Sequence, residues 1–205
     1  MPADTLPKPR KSPVQARSAA TVEAILQAAA HILETEGLEG YTTNAIARRA
    51  GVSIGSLYQY FPNKDSITAA LVVEDTEEIA RRMEAVLEDY ADRPIIDSID
   101  ALIDVSACHQ LDRPVLARLI DLEAYRLGTE PRLDAAHKRV LGVIRSLLKR
   151  SGIALPFDLE TTAQDAFALA HGITDFAGMH GETDRECLKA RIRYAVLSYL
   201  GVPPS

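Results

Sequence analysis

Residues 42–64 read TTNAIARRAGVSIGSLYQYFPNK, and this stretch decides the architecture. Ile46, Ala47 and Ala50 follow Thr42-Thr43 at helical spacing and mark a short helix. Gly51-Val52-Ser53 interrupts it, since glycine takes the positive φ that other residues resist. Ser53 is a good N-cap for a further short helix reaching Tyr60, and Pro62-Asn63 then breaks the chain. Two short helices joined by a glycine-containing turn are the sequence form of a helix-turn-helix. Ile46, Ala47, Ala50 and Val52 are expected to face inward with Leu57 and Phe61, the alanines letting the two helices approach closely.

The second helix of this corner carries the chemistry. With Leu57 and Phe61 on its buried side, Gly55 and Gln59 fall on the opposite side, flanked by Ser56 and Tyr58. That face has no charge. Gly55 removes a side chain and permits close backbone approach to a ligand surface. Gln59 can pair with base edges and Ser56 can donate or accept. Tyr58 and Tyr60 place hydroxyls where phosphates would flank a groove. Lys64 opens the following helix, where free N–H groups and the helix dipole already favour an anion.

Working outward, the preceding residues Val22, Ile25, Leu26, Ala29, Ile32 and Leu33 recur at helical spacing. Ser18 or Thr21 is expected to cap that helix, and Gly37 to end it. Residues 1–17, with Pro7, Pro9 and Pro13 among Lys8, Arg10, Lys11 and Arg17, read as a flexible basic arm able to reach a phosphate or the minor groove. The domain expectation is therefore an arm over 1–17, a helix-turn-helix domain over 18–64 and a helical domain over 65–205.

Charge agrees with a local footprint. The 205 residues carry a net charge of −6, which argues against a uniformly basic nucleic-acid binder. Residues 1–65 hold seven basic and six acidic side chains, and the remaining 140 hold 16 and 23. A basic footprint on one small region matters more to a polyanion than the total. The longest stretch without a formal charge, Ala50–Asn63, is fourteen residues and too short for a membrane span. The opening MPADTLPKPRKSP has no apolar core of the kind a signal peptide needs. Two cysteines, Cys108 and Cys187, give no disulfide framework, and a reducing, cytoplasmic setting with no membrane partner is expected.

The segment Ser18–Leu71 resembles the DNA-binding region of the TetR (tetracycline-repressor) family of transcriptional regulators. The resemblance rests on the first amphipathic helix ending in EGLEGYTT and on IARRAGVSIGSLYQYFPNKDSI. Carried over by position, it implies DNA contacts at Thr43, Ile54, Gly55, Ser56, Tyr58, Gln59 and Tyr60, and a phosphate contact at Lys64. Position 54 is often basic or polar in the family. Isoleucine here implies either an apolar contact to a thymine methyl or no contact. The resemblance further implies an all-α fold, a homodimer on palindromic double-stranded DNA, and release by an unidentified small-molecule effector.

The rest of the chain also reads as helices, over about 64–90, 95–110, 113–128, 131–151, 158–180 and 184–200, with no period-two alternation. In 158–180, Leu159, Thr162, Ala163, Ala166, Leu169, Ala170, Ile173 and Ala177 form one stripe; in 184–200, Leu188, Ile192, Ala195, Val196 and Tyr199 form another. The small residues of 158–180, with Phe167 and Phe176, suit either a close dimer interface or an intramolecular core. Polar groups within apolar helices are the candidates for an effector pocket: His109, Tyr125, Arg126, His137, His171 and Asp175, with Phe167. Asp134/His137 and His171/Asp175 each share a helix face, but the chain lacks the paired Glu-x-x-His elements of a bundle di-metal site. Cys108 reads as a small buried apolar residue. No nucleophile–base pair and no glycine-rich phosphate loop appears, so neither catalysis nor a cofactor is expected. The competing readings are a small helical-bundle enzyme and a ligand-binding module without DNA affinity.

Overall fold

A computed structural model describes the backbone of residues 13–127 and 130–203, and the side chains of 17–127 and 133–203. The described residues are helical and loop only: α1 (Pro13–Gly40), α2 (Thr43–Ala50), α3 (Ile54–Tyr60), α4 (Lys64–Asp89), α5 (Ile95–Asp112), α6 (Pro114–Leu127), α7 (Glu130–Ser151), α8 (Leu159–Met179) and α9 (Arg185–Tyr199). They divide into two compact units between Thr68 and Ala69.

In the first unit, α1 starts earlier than the sequence pattern indicates. Pro13 fits the first helical turn, where its missing N–H has no partner to lose. The stretch 13–17 is thus helix, and Ser18 and Thr21 lie inside it rather than capping it; the Thr21 hydroxyl donates to the Arg17 carbonyl at 2.9 Å. Arg10 and Lys11 lie outside the described residues. Gly37 breaks the helix at φ 64°, ψ −164°, and a last turn runs on to Gly40. Ile25, Ala29, Ile32 and Leu33 of α1, Ile46 and Ala47 of α2, Leu57 of α3 and Ile67 of α4 close the core. Tyr41 is buried among them, its hydroxyl 3.2 Å from that of Thr68.

The second unit is built on α5, which is buried on two sides. Ile99, Ile103 and Ala107 join Leu147, Leu188, Ile192 and Leu197 in one cluster. Ala101 and Val105 join Ala80, Met83, Val140 and Val143 in another. Polar groups fix the outer seams. Along α9, Arg185, Lys189 and Arg193 recur every four residues and meet acids of α5: Asp112, Asp104 at 2.7 Å and Asp100 at 2.8 Å. Arg185 also donates to the Cys108 thiol sulfur at 3.1 Å. Cys108 is therefore half-buried and polar-partnered, not the buried apolar residue its neighbours indicated. Asp158 caps α8 by accepting from the Glu160 and Thr161 amides.

Arg139 of α7 clamps two turns of α4, bonding Glu84 at 2.6 and 2.8 Å and also Glu77. The guanidinium bond holds the Glu84 carboxyl below its usual range. A depressed carboxylate contributes stability that is present above its ordinary value of 4.5 and is lost as pH falls through the lower folded value. Arg139→Ala is accordingly expected to lower the melting temperature by a constant amount above about pH 5, with the deficit shrinking in more acid solution. Paired thermal scans of the two proteins from pH 7 to pH 3 check this.

Candidate functional site

The corner at Gly51 sets the geometry of the first unit's exposed face. Gly51 takes φ 69°, ψ 26°, and its N–H and that of Val52 bond back onto α2, closing the helix in a left-handed cap. The Thr42 hydroxyl caps the other end of α2 by accepting from the Ala45 amide at 3.2 Å. Ser53 starts α3, its side chain accepting from the Ser56 amide at 3.0 Å. Leu57 is fully buried and Phe61 nearly so, while Ala50 and Val52 are only half-buried, at the edge of the inward face assigned to them.

What remains outward is Ile54, Gly55, Tyr58, Gln59 and Tyr60, with Ser56 half-buried beside them. Ile54 is 39% exposed and Tyr58 49%, unusual for side chains that could have packed. Thr43 and Tyr58 come together across the corner, their hydroxyls 3.2 Å apart. Two of the candidate contacts thus form one hydrogen-bonding element joining α2 to α3. Gly55 sits in open space: an added Cβ would meet nothing closer than the Ser53 hydroxyl at 3.8 Å. The fold itself has no steric need for glycine there. Lys64 opens α4, its ammonium 5.6 Å from the Tyr41 ring centroid. Asn63 and Ser66 cap that helix reciprocally, Ser66 N–H to the Asn63 side chain at 2.8 Å and Asn63 N–H to the Ser66 hydroxyl at 3.3 Å. The sequence reading passed over Arg48 and Arg49. Both are exposed in the last turn of α2, where cations suit the helix dipole, and adjacent arginines before the turn glycine were the available signal.

The second unit contains a cavity of about 560 Å³ lined from α4 to α9. Six of the seven candidate pocket residues line it: His109, Tyr125, His137, Phe167, His171 and Asp175. Tyr125 is 89% exposed, so it contributes at the surface rather than in the interior. Arg126 is the correction. It is not among the lining residues; it projects outward and grips Glu123 of its own helix at 2.7 Å, the short route for a long cation in a last helical turn. His137 and His171 flank Phe167, with ring centroids 5.9 and 5.2 Å away.

The structure adds acids and amides that the sequence reading missed. Asp75 pairs with His109 at 3.1 Å and Asp175 with His171 at 2.8 Å. Asp121 also lines the cavity. Water touches its carboxyl, yet protein atoms crowd the space around it. Burial, then the charges of Asp175 and Asp75, push its pKa up to about 6, with His109 and His171 pulling the other way. Gln110, 3% exposed, lines the same cavity, and its amide nitrogen is buried without a hydrogen-bond partner. The signal for these residues was positional. Asp75 and Thr76 fall on the Val72–Ile79–Met83 stripe, whereas Asp121 is exposed on α6 and carried no such signal. Among the described residues no group of three or more histidines, cysteines and acids is placed to hold a metal ion, and no helix is long and apolar enough to cross a membrane.

Comparison with known proteins bears on both units. Residues 25–71 match the family described as bacterial regulatory proteins, tetR family, and residues 94–200 match the tetracyclin repressor-like C-terminal domain. A nucleoid occlusion factor SlmA from Aliivibrio fischeri is 30% identical over 144 residues, 66% of this chain and 72% of that protein. A TetR-family transcriptional regulator from Streptomyces coelicolor superposes with a TM-score of 0.70 at 26% identity, covering 90% of this chain and 98% of its own. The regulator FadR from Bacillus subtilis, solved with stearoyl-CoA, has the same fold, with a TM-score of 0.70 at 21% identity over 86% of this chain and 98% of that one.

Gly55→Ala separates folding from recognition. The added methyl has room and replaces a helix-interior glycine, so stability is expected to hold or rise by up to about 1 kcal/mol. Affinity for a selected duplex is expected to fall about tenfold or more, the equivalent of roughly 1.4 kcal/mol, because the methyl stands where bases or backbone would approach. Thermal denaturation and a mobility-shift titration on one preparation measure both.

Proposed function

Because this chain belongs to the TetR family of bacterial regulatory proteins, we propose that it works as a homodimeric repressor, seated on a palindromic operator through two copies of α3 and released when a small molecule fills the cavity of the second unit. It is a DNA-binding transcriptional regulator; the dimer, the repression, the palindrome and the individual contacts are our reading. The observation that carries it is the outward, uncharged Gly55–Gln59 side of α3, left exposed although Leu57 buries the opposite side completely. In this reading Gln59 and Ser56 read base edges, and Ile54 lies against a thymine methyl. Thr43, Tyr58, Tyr60 and Lys64 hold phosphates and fix the register. Half-sites then lie one or more helical turns apart, about 34–36 Å per turn.

Support for the dimer comes from the way α8 divides its small residues. Ala163, Ala166, Ala177 and Gly178 are used up in the subunit's own core. Ala168 and Gly172 remain exposed, beside Phe176 at 57% and Met179 at 52%, and the neighbouring α9 shows Tyr194 at 64%. Small residues with apolar ones around them allow a second helix pair to approach closely. An effector acts only through its different affinity for the DNA-competent and released forms. In FadR from Bacillus subtilis the bound molecule is stearoyl-CoA; an acyl chain fits the apolar walls of this cavity, whereas its carboxylates offer nothing to an anionic group.

The name of the Aliivibrio relative supports a second use of the same DNA grip, in nucleoid occlusion. A chromosome-wide binding map tells the two apart, since a repressor occupies a few promoters and an occlusion factor occupies sites spread over the chromosome.

Selection of bound fragments from random DNA is expected to return an inverted repeat. Gln59→Ala should relax preference at one position of each half-site, while Lys64→Ala should weaken all sequences alike and lower the salt slope by about one. Identical losses from both variants across the library would overturn this division of roles. Gly172 has free space around a built Cβ, so Gly172→Glu should fold normally and sediment as a monomer where the parent sediments as a dimer.

A further inference from the structure

The cavity of the second unit is lined by apolar side chains and a small set of polar groups. The hydroxyls of Thr76, Ser106, Ser151 and Thr174 have already placed their protons. Thr76 donates to the Val72 carbonyl at 3.0 Å, Thr174 to the Ala170 carbonyl at 2.8 Å and Ser151 to the Leu148 carbonyl at 2.7 Å. Ser106 lies 3.4 Å from the Thr174 hydroxyl, whose own proton is committed, so Ser106 is the donor of that pair. His109 and His171 are each held by an acid, Asp75 and Asp175.

Gln110 of α5 differs. It lines the same cavity at 3% exposure, and its amide nitrogen is buried with no hydrogen-bond partner among the described residues. The fold makes room for this amide. Gly178 lies buried in the last turn of α8, where an added Cβ would stand 1.8 Å from the Gln110 amide nitrogen and 2.6 Å from the amide carbon. Backbone conformation does not account for that glycine, since the left-handed turn after α8 falls to Gly181 at φ 69°. A side chain is thus given up at a packed helix contact to seat a donor that the chain then leaves unused. A buried N–H without an acceptor is costly, whereas an apolar side chain of the same length would fill the place without that cost. The missing acceptor is one that an occupant of the cavity can bring.

We propose that this cavity takes a neutral lipophile whose polar group is a carbonyl oxygen, a ketone or an ester, and that the Gln110 amide is the donor that recognises that oxygen. A turn of the amide brings its N–H to an oxygen in the open space, while the Ile103, Val140 and Phe167 walls enclose the apolar body. A cation has nothing to accept from this donor. A carboxylate would meet the same donor, but it would also meet Asp75 and Asp175 on the cavity wall. The inference rests on the reading of this cavity as the effector site and adds the chemical class of its occupant.

The test uses the full-length protein without DNA and three probes of similar size: butyrophenone, the alkene that carries a CH2 group in place of its ketone oxygen, and phenylbutyrate. Calorimetry measures each probe against the wild type and against Gln110→Met, which keeps the length of the side chain and removes the donor. Gln110→Met is expected to weaken butyrophenone about tenfold and to leave the alkene unchanged or more tightly bound. Phenylbutyrate is expected to bind the wild type more weakly than the ketone does. An equal change for ketone and alkene, or no change for either, would overturn the assignment, because the amide would then act on cavity shape alone or be satisfied by water only. Tighter binding of phenylbutyrate, or no binding of the ketone to the wild type, overturns it as well. Infrared isotope-difference spectra of carbonyl-labelled butyrophenone decide the matter even if the variant fails to fold. The stretch of the bound ketone is expected below its position in a hydrocarbon solvent, and a hydrocarbon-like position refutes the hydrogen bond. A parallel mobility-shift assay keeps the two readings apart. If butyrophenone binds with the expected dependence on Gln110 but DNA stays bound, the ligand class stands and the release mechanism fails. If phenylbutyrate releases DNA and the ketone does not bind, release stands and the ligand class fails.

Discussion

A seven-residue helix does not persist in water by itself, since nucleation costs more than one or two backbone hydrogen bonds return. Everything proposed for the first unit depends on α3 being held nonetheless. Three constraints hold it: the left-handed turn at Gly51, the Ser53 cap on the Ser56 amide, and the insertion of Leu57 into the core. The last is the strongest. Emptying a fully buried leucine site costs about 2–5 kcal/mol, against about 1 kcal/mol for losing a cap. Leu57 also fixes the rotation of the helix. With that side chain committed inward, Gly55 and Gln59 have no choice but to face out.

The same anchoring explains why this region was readable from sequence and others were not. A corner of two short helices is specified locally, by a glycine, a serine and two apolar residues within about ten positions, so the pattern and the fold carry the same information. The start of α1 is hidden in the sequence because prolines among basic residues also mark a flexible arm, whereas Pro13 is suited to a first turn. The cavity was half legible. Histidines stand out in apolar helices and led to His109, His137 and His171. Asp75 and Asp121 did not stand out, because carboxylates on an amphipathic helix normally face water. Only the packing of α4 around a space shows that Asp75 turns to His109, while Asp121 stays exposed at the edge of the cavity. Arg126 failed for the opposite reason. Its charge drew attention, but an arginine three residues after Glu123 satisfies itself on its own helix.

Charge is used differently on the two helices that build the second unit's seam. The acids of α5 at 100, 104 and 112 are met by Arg193, Lys189 and Arg185 of α9, an antiparallel ladder. Surface pairs of this kind contribute about 0–1 kcal/mol each, so the ladder is weak as a source of stability. Its effect is on register. A slip of one turn between α5 and α9 would set Lys189 opposite Cys108 or Arg193 opposite Ile96, leaving a charge without its acid, and would carry Ile192 and Leu188 out of the cluster they fill. Cys108 continues the same row and takes an Arg185 bond, which accounts for a half-buried cysteine where its neighbours predicted an apolar one.

The helix α8 brings the cavity and the proposed dimer face within a few ångströms of backbone. Around its circumference, Ala163, Ala166 and Ala177 point to the core, Ala168, Gly172 and Phe176 point away, and Phe167, His171 and Asp175 occupy the flank between. Residues three and four apart on a helix are neighbours, so any group that repositions His171 or Asp175 works directly beside Gly172 and Phe176. An α-helix responds to force on one flank as a nearly rigid rod, and packed interfaces switch between discrete arrangements rather than deforming smoothly. A ligand engaging the Asp175 flank therefore needs no long relay to bias the dimer. It acts on the same rod that the proposed partner would grip, and the small residues at 168 and 172, which would let a second copy come close, would also make that contact sensitive to a small rotation.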